Sequence, residues 1–378
     1  MNVQGKPNNT SLVVAHVGVR GGAGLYNKFL LKELISNGRK VVVAGDLSGY
    51  RDTGVTPASN DLNKVYNTII FAQYSGVNFL RRLFFLFLAF LLIPYFIYRI
   101  NRADNIREFD NIIFTSSIQM FEAYLTARVF PKKDVTIIVQ ENLELHGLFG
   151  FLPRAFLKSI RVLSITESWA SYASNLKIHV KVLPNPIDIK IESCDLKYIN
   201  EDKWDLIYVG GENKIKGFDT LLRALSLANE AKVSIVMLGR YSEKAIRSIE
   251  QIAKDNDKLT ISVKGEVKNV SHYLIRSKVL ILPIMSPHFC RPAIEASVCK
   301  MTFIVSDFPE LEDFVTETNC IKFKRNDPSS LLNNILILLN DDELRKRLSA
   351  NNHRQFSEKY SLARFRDNIE ALMHERFI

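Results

Sequence analysis

Ser286-Pro-His-Phe-Cys-Arg-Pro-Ala-Ile-Glu295-Ala-Ser297 lies between two apolar runs, Val279-Leu-Ile-Leu282 before it and Phe303-Ile-Val305, then Ser306-Asp307, after it. The order is strand, loop, helix start, strand. Short runs of Val, Leu and Ile without polar alternation fit strands buried on both faces of a parallel sheet. The helix between them is the crossover that such a sheet requires. A helix N-terminus leaves backbone N–H groups free and carries partial positive charge, so this loop suits an anion. Glu295 falls about one turn inside the helix, where a carboxylate can accept hydrogen bonds from sugar hydroxyls.

The same alternation extends in both directions. Asp205-Leu-Ile-Tyr-Val-Gly-Gly211 reads as a strand ending in a glycine turn, followed by a helix at 219–229. Val233-Ser-Ile-Val-Met-Leu-Gly239 and Leu259–Val263 are further strands, with a helix at 243–254 between them. Helices at 328–340, 341–351 and 356–373 close the chain. The N-terminal half opens with the apolar run Leu12–Val19, the turn Arg20-Gly-Gly-Ala-Gly24, a helix over Tyr26–Ile35 and the strand Val41–Ala44. Strands are expected at 67–71, 111–114, 135–139, Ile160–Ile165 and His179–Leu183. Leu183-Pro-Asn-Pro-Ile-Asp188 is a Pro-punctuated linker. The pattern predicts an α/β fold of two Rossmann-like domains facing a cleft, 1–188 and 189–355, with residues 356–378 forming a helix that packs back on the first.

The chain has 378 residues, 47% hydrophobic and 24% charged, enough to bury a large core without disulfides or metals. Cys194, Cys290, Cys299 and Cys320 form no CxxC pair, which favours reduced thiols over zinc. The first ten residues are polar and hold no signal-peptide core, so a cytoplasmic protein is expected. The net charge of +10 is unevenly placed, +9 over residues 1–190 and +1 over 191–378. A basic first half implies an anionic surface as partner. No nucleic-acid motif is present, and an apolar segment points to lipid instead. Within 79–102, the 16 residues Leu83–Tyr98 carry no charge and are flanked by Arg81, Arg82, Arg99 and Arg102. That is short of the roughly 20 residues of a membrane span. Its aromatic stripe and basic flanks fit a helix lying in one leaflet, with a buried core helix and, least favoured by its length, a true span as the alternatives. The expected location is the inner face of the cell membrane.

Several residues can carry chemistry. Gly21 and Gly22, between strand and helix, let backbone approach a diphosphate. The GxGxxG spacing of a nicotinamide dinucleotide site is missing. Lys216, beside Gly217 and just before a helix, is placed to hold a phosphate.

Gly217-Phe-Asp-Thr-Leu-Leu-Arg-Ala-Leu, Val236-Met-Leu-Gly239, Val263-Lys-Gly265-Glu-Val267 and Phe289-Cys-Arg-Pro-Ala-Ile-Glu295-Ala occur in that order. Together they resemble the C-terminal domain of the GT-B glycosyltransferases of family four, the retaining group one transferases, most closely over 205–310. The resemblance implies a nucleoside-diphosphate sugar as donor, held by the second domain, and no metal or other cofactor. It implies a glycan or lipid-linked acceptor held by the first domain. Surface polysaccharide assembly, such as lipopolysaccharide or capsule, is the setting it suggests.

Carried over, Glu295 is the ribose-binding glutamate and Lys216 the phosphate lysine. His288, Phe289 and Cys290 fall on a loop that is usually Gly-Phe-Gly and passes the sugar and diphosphate. Gly265 and Val267 meet the nucleobase, Gly239 and Arg240 follow the neighbouring strand, and Gly21 and Gly22 form the first domain's glycine loop. Glu141 sits where the family often has a catalytic-side pair, giving Glu141, His288 and Arg291 as catalytic candidates. Two positions depart from the pattern. Pro287 stands where the first glutamate of the family's pair belongs, and Gly211 stands where a phosphate arginine belongs. Arg291, or Arg240, is the expected replacement for the lost charge. The alternatives to a transferase are a nucleotide-sugar epimerase of the same fold and a catalytically inactive binding subunit of a transferase complex.

Overall fold

A computed structural model describes residues 10–15, 21–45, 50, 53–59, 93–102, 104–140, 143, 145, 147–188, 203–286 and 288–374. The expected strand at 67–71, most of the 79–102 segment and Glu141 lie outside these residues. The chain divides into two compact units, Met1–Pro186 with Phe365–Ile378, and Ile187–Arg364.

The first unit is built on β1 (Thr10–Ala15), β2 (Lys40–Gly45), β3 (Thr56–Pro57), β4 (Asn111–Phe114), β5 (Asp134–Val139), β6 (Arg161–Ser164) and β7 (Val180–Val182). Among the described residues these form one parallel sheet in the order β3-β2-β1-β4-β5-β6-β7. Val41–Ala44 and Ile112–Phe114 are buried along their whole length, as strands covered on both faces must be. The helix Gly21–Ser36 starts five residues before the expected Tyr26. Gly21–Gly24 are therefore its first turn, not a turn preceding it.

The closing helix is Leu362–His374, not 356–373. The preceding helix, Asp342–Phe356, takes up the first of those residues. Tyr360 is diverted from helix geometry by long-range bonds: its OH donates to the Asp313 carbonyl at 3.1 Å, and its own carbonyl accepts from Ile187 N at 2.8 Å. Ser361 Oγ then accepts from Arg364 N at 3.1 Å and starts the new helix. That helix belongs to the first unit from Phe365 onward. Phe365 packs edge-on against Tyr26 at 5.6 Å, and Arg366 Nε donates to the buried Glu33 carboxylate at 2.8 Å.

The second unit contains β8 (Trp204–Val209), β9 (Val233–Leu238), β10 (Leu259–Gly265), β11 (Ser277–Leu282), β12 (Thr302–Ser306) and β13 (Cys320–Phe323). They form a parallel sheet in the order β10-β9-β8-β11-β12-β13. Alternation along each strand divides the core. Leu280, Leu282, Phe303 and Val305 pack on one face, Val279, Ile281 and Ile304 on the other. Each such buried apolar side chain contributes about 1.5–3 kcal/mol. Both units are Rossmann-like α/β layers, the GT-B pattern.

Candidate functional site

In an open parallel sheet, ligands bind outside the carboxyl ends of the strands where the strand order reverses. In the second unit that point lies between β8 and β11, and the charged candidates gather on the loops leaving these two strands.

The loop after β8 is tightly held. Asn213 Oδ1 accepts from Ile215 N at 2.8 Å and caps a single 3-10 turn, Lys214–Lys216. Tyr208 OH faces the carbonyls of Gly211 and Lys216 at 3.1 and 3.4 Å, and burial pushes its phenol well up, so it stays a donor. Gly217 has φ +76°, and a Cβ there would lie 1.5 Å from the Pro283 carbonyl oxygen. Only glycine lets the two loops approach this closely. Gly211 is also obligatory: its φ is +61°, and a Cβ would lie 2.6 Å from the Arg240 carbonyl oxygen. The arginine expected by family resemblance therefore has no room on this backbone.

Lys216 Nζ donates to His288 Nε2 at 2.5 Å. His288 Nδ1 is 2.9 Å from the Ser286 carbonyl, which can only accept, so Nδ1 carries the proton and Nε2 the lone pair. Burial, then the neighbouring Lys216 charge, lowers the imidazole to about 4. Cys290 Sγ lies 3.8 Å from Nε2 and is fully buried, which raises its thiol above the ordinary range. The helix Arg291–Val298 follows, with Pro292 in its first turn, where the missing N–H is no loss. Arg291 Nε donates to Glu295 Oε1 at 2.9 Å across one helical turn. Burial raises the Glu295 carboxyl and Arg291 opposes that shift.

Lys216, His288, Cys290, Arg291 and Glu295 thus form one cluster at the ends of β8 and β11. The other candidates take different places. Phe289 turns toward Phe314 and Tyr360, with ring centroids 6.1 and 5.9 Å away, and anchors the loop. Arg240 forms an exposed ion pair with Glu266 at 2.7 Å. Gly239 N donates to the Gly265 carbonyl at 2.8 Å, binding the ends of β9 and β10 together. Val267 is half-buried against the core. Gly21 and Gly22 lie in the first unit, at the start of helix Gly21–Ser36.

Sequence reasoning missed Tyr208, hidden in an apolar strand, and a polar network in the first unit. There Gln140 Nε2 donates to Asn27 Oδ1 at 2.9 Å and to the Thr115 carbonyl at 2.7 Å, at the carboxyl ends of β4 and β5. Gln140 Oε1 is buried and has no partner among the described residues. Isolated polar residues at strand ends give no local signal.

Residues 195–355 match the family described as "Glycosyl transferases group 1". An uncharacterized glycosyltransferase of Methanocaldococcus jannaschii is 27% identical over 191 residues, 50% of this chain and 51% of that protein. An uncharacterized 41.2 kDa protein in the cps region of Klebsiella pneumoniae is 23% identical over 150 residues, 37% of this chain and 40% of that protein. The chain thus spans about half the length, or less, of the curated relatives it matches. Among solved structures, Anabaena HepE in complex with UDP aligns with a TM-score of 0.71 at 11% identity, covering 96% of this chain and 99% of that one. Sucrose-phosphate synthase from Thermosynechococcus elongatus aligns with a TM-score of 0.67 at 14% identity, over 96% and 98%. At these identities the structural likeness is one of fold.

Proposed function

We propose, from residues 195–355 that belong to the group 1 glycosyl transferases on a GT-B fold, that this protein transfers a hexose from a nucleoside-diphosphate sugar to a glycan or lipid-linked acceptor. The observation that carries the reading is the cluster at the ends of β8 and β11. It joins a lysine ammonium, a helix N-terminus and an arginine-paired carboxylate on one side of the sheet. In the reaction the bond between the sugar's anomeric carbon and the diphosphate oxygen breaks. A bond from the acceptor oxygen forms on the same face, and the acceptor's proton passes to the departing diphosphate. Lys216 and the N–H groups at the start of helix Arg291–Val298 stabilise the charge that builds on the diphosphate. Glu295 accepts from the ribose hydroxyls, and Arg291 holds its carboxylate in line for them. HepE, solved with UDP and with UDP-glucose, supports a uridine nucleotide as the first donor to test.

The test is a panel of nucleotide sugars, read for binding and turnover. Glu295→Gln should weaken donor binding about tenfold with the melting temperature unchanged. Unchanged affinity would remove Glu295 from the site. A wild-type protein that binds no donor would end the reading. Binding without turnover on any acceptor would favour the inactive-subunit alternative suggested by Pro287 and Gly211.

Surface glycan assembly is the proposed setting, supported by the relative from a cps region. A position on the inner face of the membrane accords with helix 93–102, where Tyr95 and Tyr98 are exposed. Arg99 and Arg102 lie over their rings at 6.0 and 5.4 Å. Aromatic and basic groups on one surface suit an anionic headgroup layer. No helix among the described residues is long and apolar enough to cross a membrane. The variant Tyr95→Ser/Tyr98→Ser/Arg99→Gln/Arg102→Gln should lose about tenfold or more of its affinity for phosphatidylglycerol vesicles, since each basic residue near such a surface contributes about 1 kcal/mol. Equal binding by variant and wild type would exclude this face.

A further inference from the structure

We propose that His288 is a positioning residue whose Nε2 lone pair holds the Lys216 ammonium in place for the diphosphate. The ligand in this proposal rests on the nucleotide-sugar reading; the geometry of the pair does not. By family resemblance this position is usually a glycine, so the imidazole is a departure from the usual loop.

Three observations support the assignment. The Ser286 carbonyl accepts a hydrogen bond from Nδ1–H at 2.9 Å, which fixes the tautomer and leaves Nε2 as an acceptor. Lys216 fills that acceptor at 2.5 Å. The two loops are joined a second time by Met285 N donating to the Ile215 carbonyl at 2.8 Å, so the imidazole is carried on backbone already registered to the lysine. Among the described residues, the titratable groups in contact with the imidazole are Lys216, from the turn after β8, and Cys290, from its own loop. Burial keeps the ring neutral through the physiological range, with its pKa lowered to about 4. A protonated ring would repel the ammonium instead of holding it.

A lysine side chain has about 2 kcal/mol of rotamer freedom to lose when it binds. Its ammonium has three donors. One directed to His288 orients the other two toward a ligand and removes part of that entropy before binding. His288 therefore acts through Lys216 and needs no contact with the sugar.

The test combines spectroscopy with binding, using the full chain and UDP as probe. In ¹⁵N-histidine spectra the His288 ring should be the Nδ1–H tautomer, unchanged between pH 8 and pH 5.5, and Lys216→Met should shift its Nε2 resonance. A proton on Nε2, a midpoint in that pH range, or indifference to Lys216→Met would overturn the proposal without any reference to ligand. UDP affinity should fall about tenfold in His288→Ala. His288→Gln, whose amide oxygen can accept from the lysine, should recover most of it. In the Lys216→Met background, His288→Ala should have no further effect. Equal losses in the Ala and Gln variants, or full losses in both backgrounds, would overturn it. If wild-type protein binds no UDP while the spectra behave as stated, the nucleotide reading fails and the positioning of Lys216 by His288 stands.

Discussion

Lys216→Ala should lower kcat/KM for sugar transfer by about a hundredfold or more. The ammonium is half-buried, and it bonds to a neutral ring. Little of its charge is therefore neutralised before a ligand arrives. Charge on a departing diphosphate grows as its bond to the sugar breaks, so a fixed cation there stabilises the transition state more than the bound donor. The loss should fall mainly on kcat, with a smaller rise in KM. Steady-state kinetics with the donor identified by the panel measures both. Folding should be unaffected, because Tyr208 holds the backbone of this turn rather than the lysine side chain. A loss under threefold, or one confined to KM, would take Lys216 out of leaving-group stabilisation. Arg291 would then be the next cation to test.

The second large effect is on stability. Glu122 lies in the helix Met120–Val129, is 3% exposed, and its Oε2 has no partner among the described residues. Burial pushes its carboxyl up to about 8. The unfolded carboxyl titrates at about 4.3, so between these values the folded chain holds a proton that the unfolded chain has lost. Stability from this group is complete below the unfolded pKa and is lost as pH rises through the folded one. At pH 7 the penalty is on the order of several kcal/mol, and it grows further toward pH 9. Glu122→Gln removes the titration and should stabilise the first unit progressively from pH 5 to pH 9. Trp169 and Trp204 are the two tryptophans of the chain and lie in different units. In a Trp204→Phe background, Trp169 fluorescence reports urea unfolding of the first unit alone. Parallel pH profiles with and without the Glu122→Gln substitution would show that the carboxyl is not held neutral.

The central strands that could be read from the sequence share one property. Val41–Ala44, Ile235–Leu238 and Phe303–Val305 are continuous apolar runs because a central parallel strand is buried on both faces. The edge strands Thr56–Pro57 and Cys320–Phe323 lack that pressure, and their short mixed sequences gave no signal. The break between Phe356 and Leu362 was equally silent. The segment has helical periodicity, and the long-range bonds of Tyr360 to Asp313 and Ile187 lie where it breaks.

The site divides in the same way. Sequence alone determined that a lysine precedes one helix, that a glutamate lies one turn inside another, and that both follow buried strands. Those are local facts, set by propensities and by the chemistry of helix ends. The resemblance to group 1 transferases marked Gly211 as a lost arginine. Tertiary structure supplied the reason, since that backbone lies against Arg240 with no room for a side chain. Tertiary structure also brought Lys216 to His288, 72 positions apart in sequence. That meeting depends on β8 and β11 lying side by side while β9 and β10 continue on the other edge of β8. Strand pairing of this kind is fixed by the packing of the whole sheet, and no window of sequence around either residue contains it.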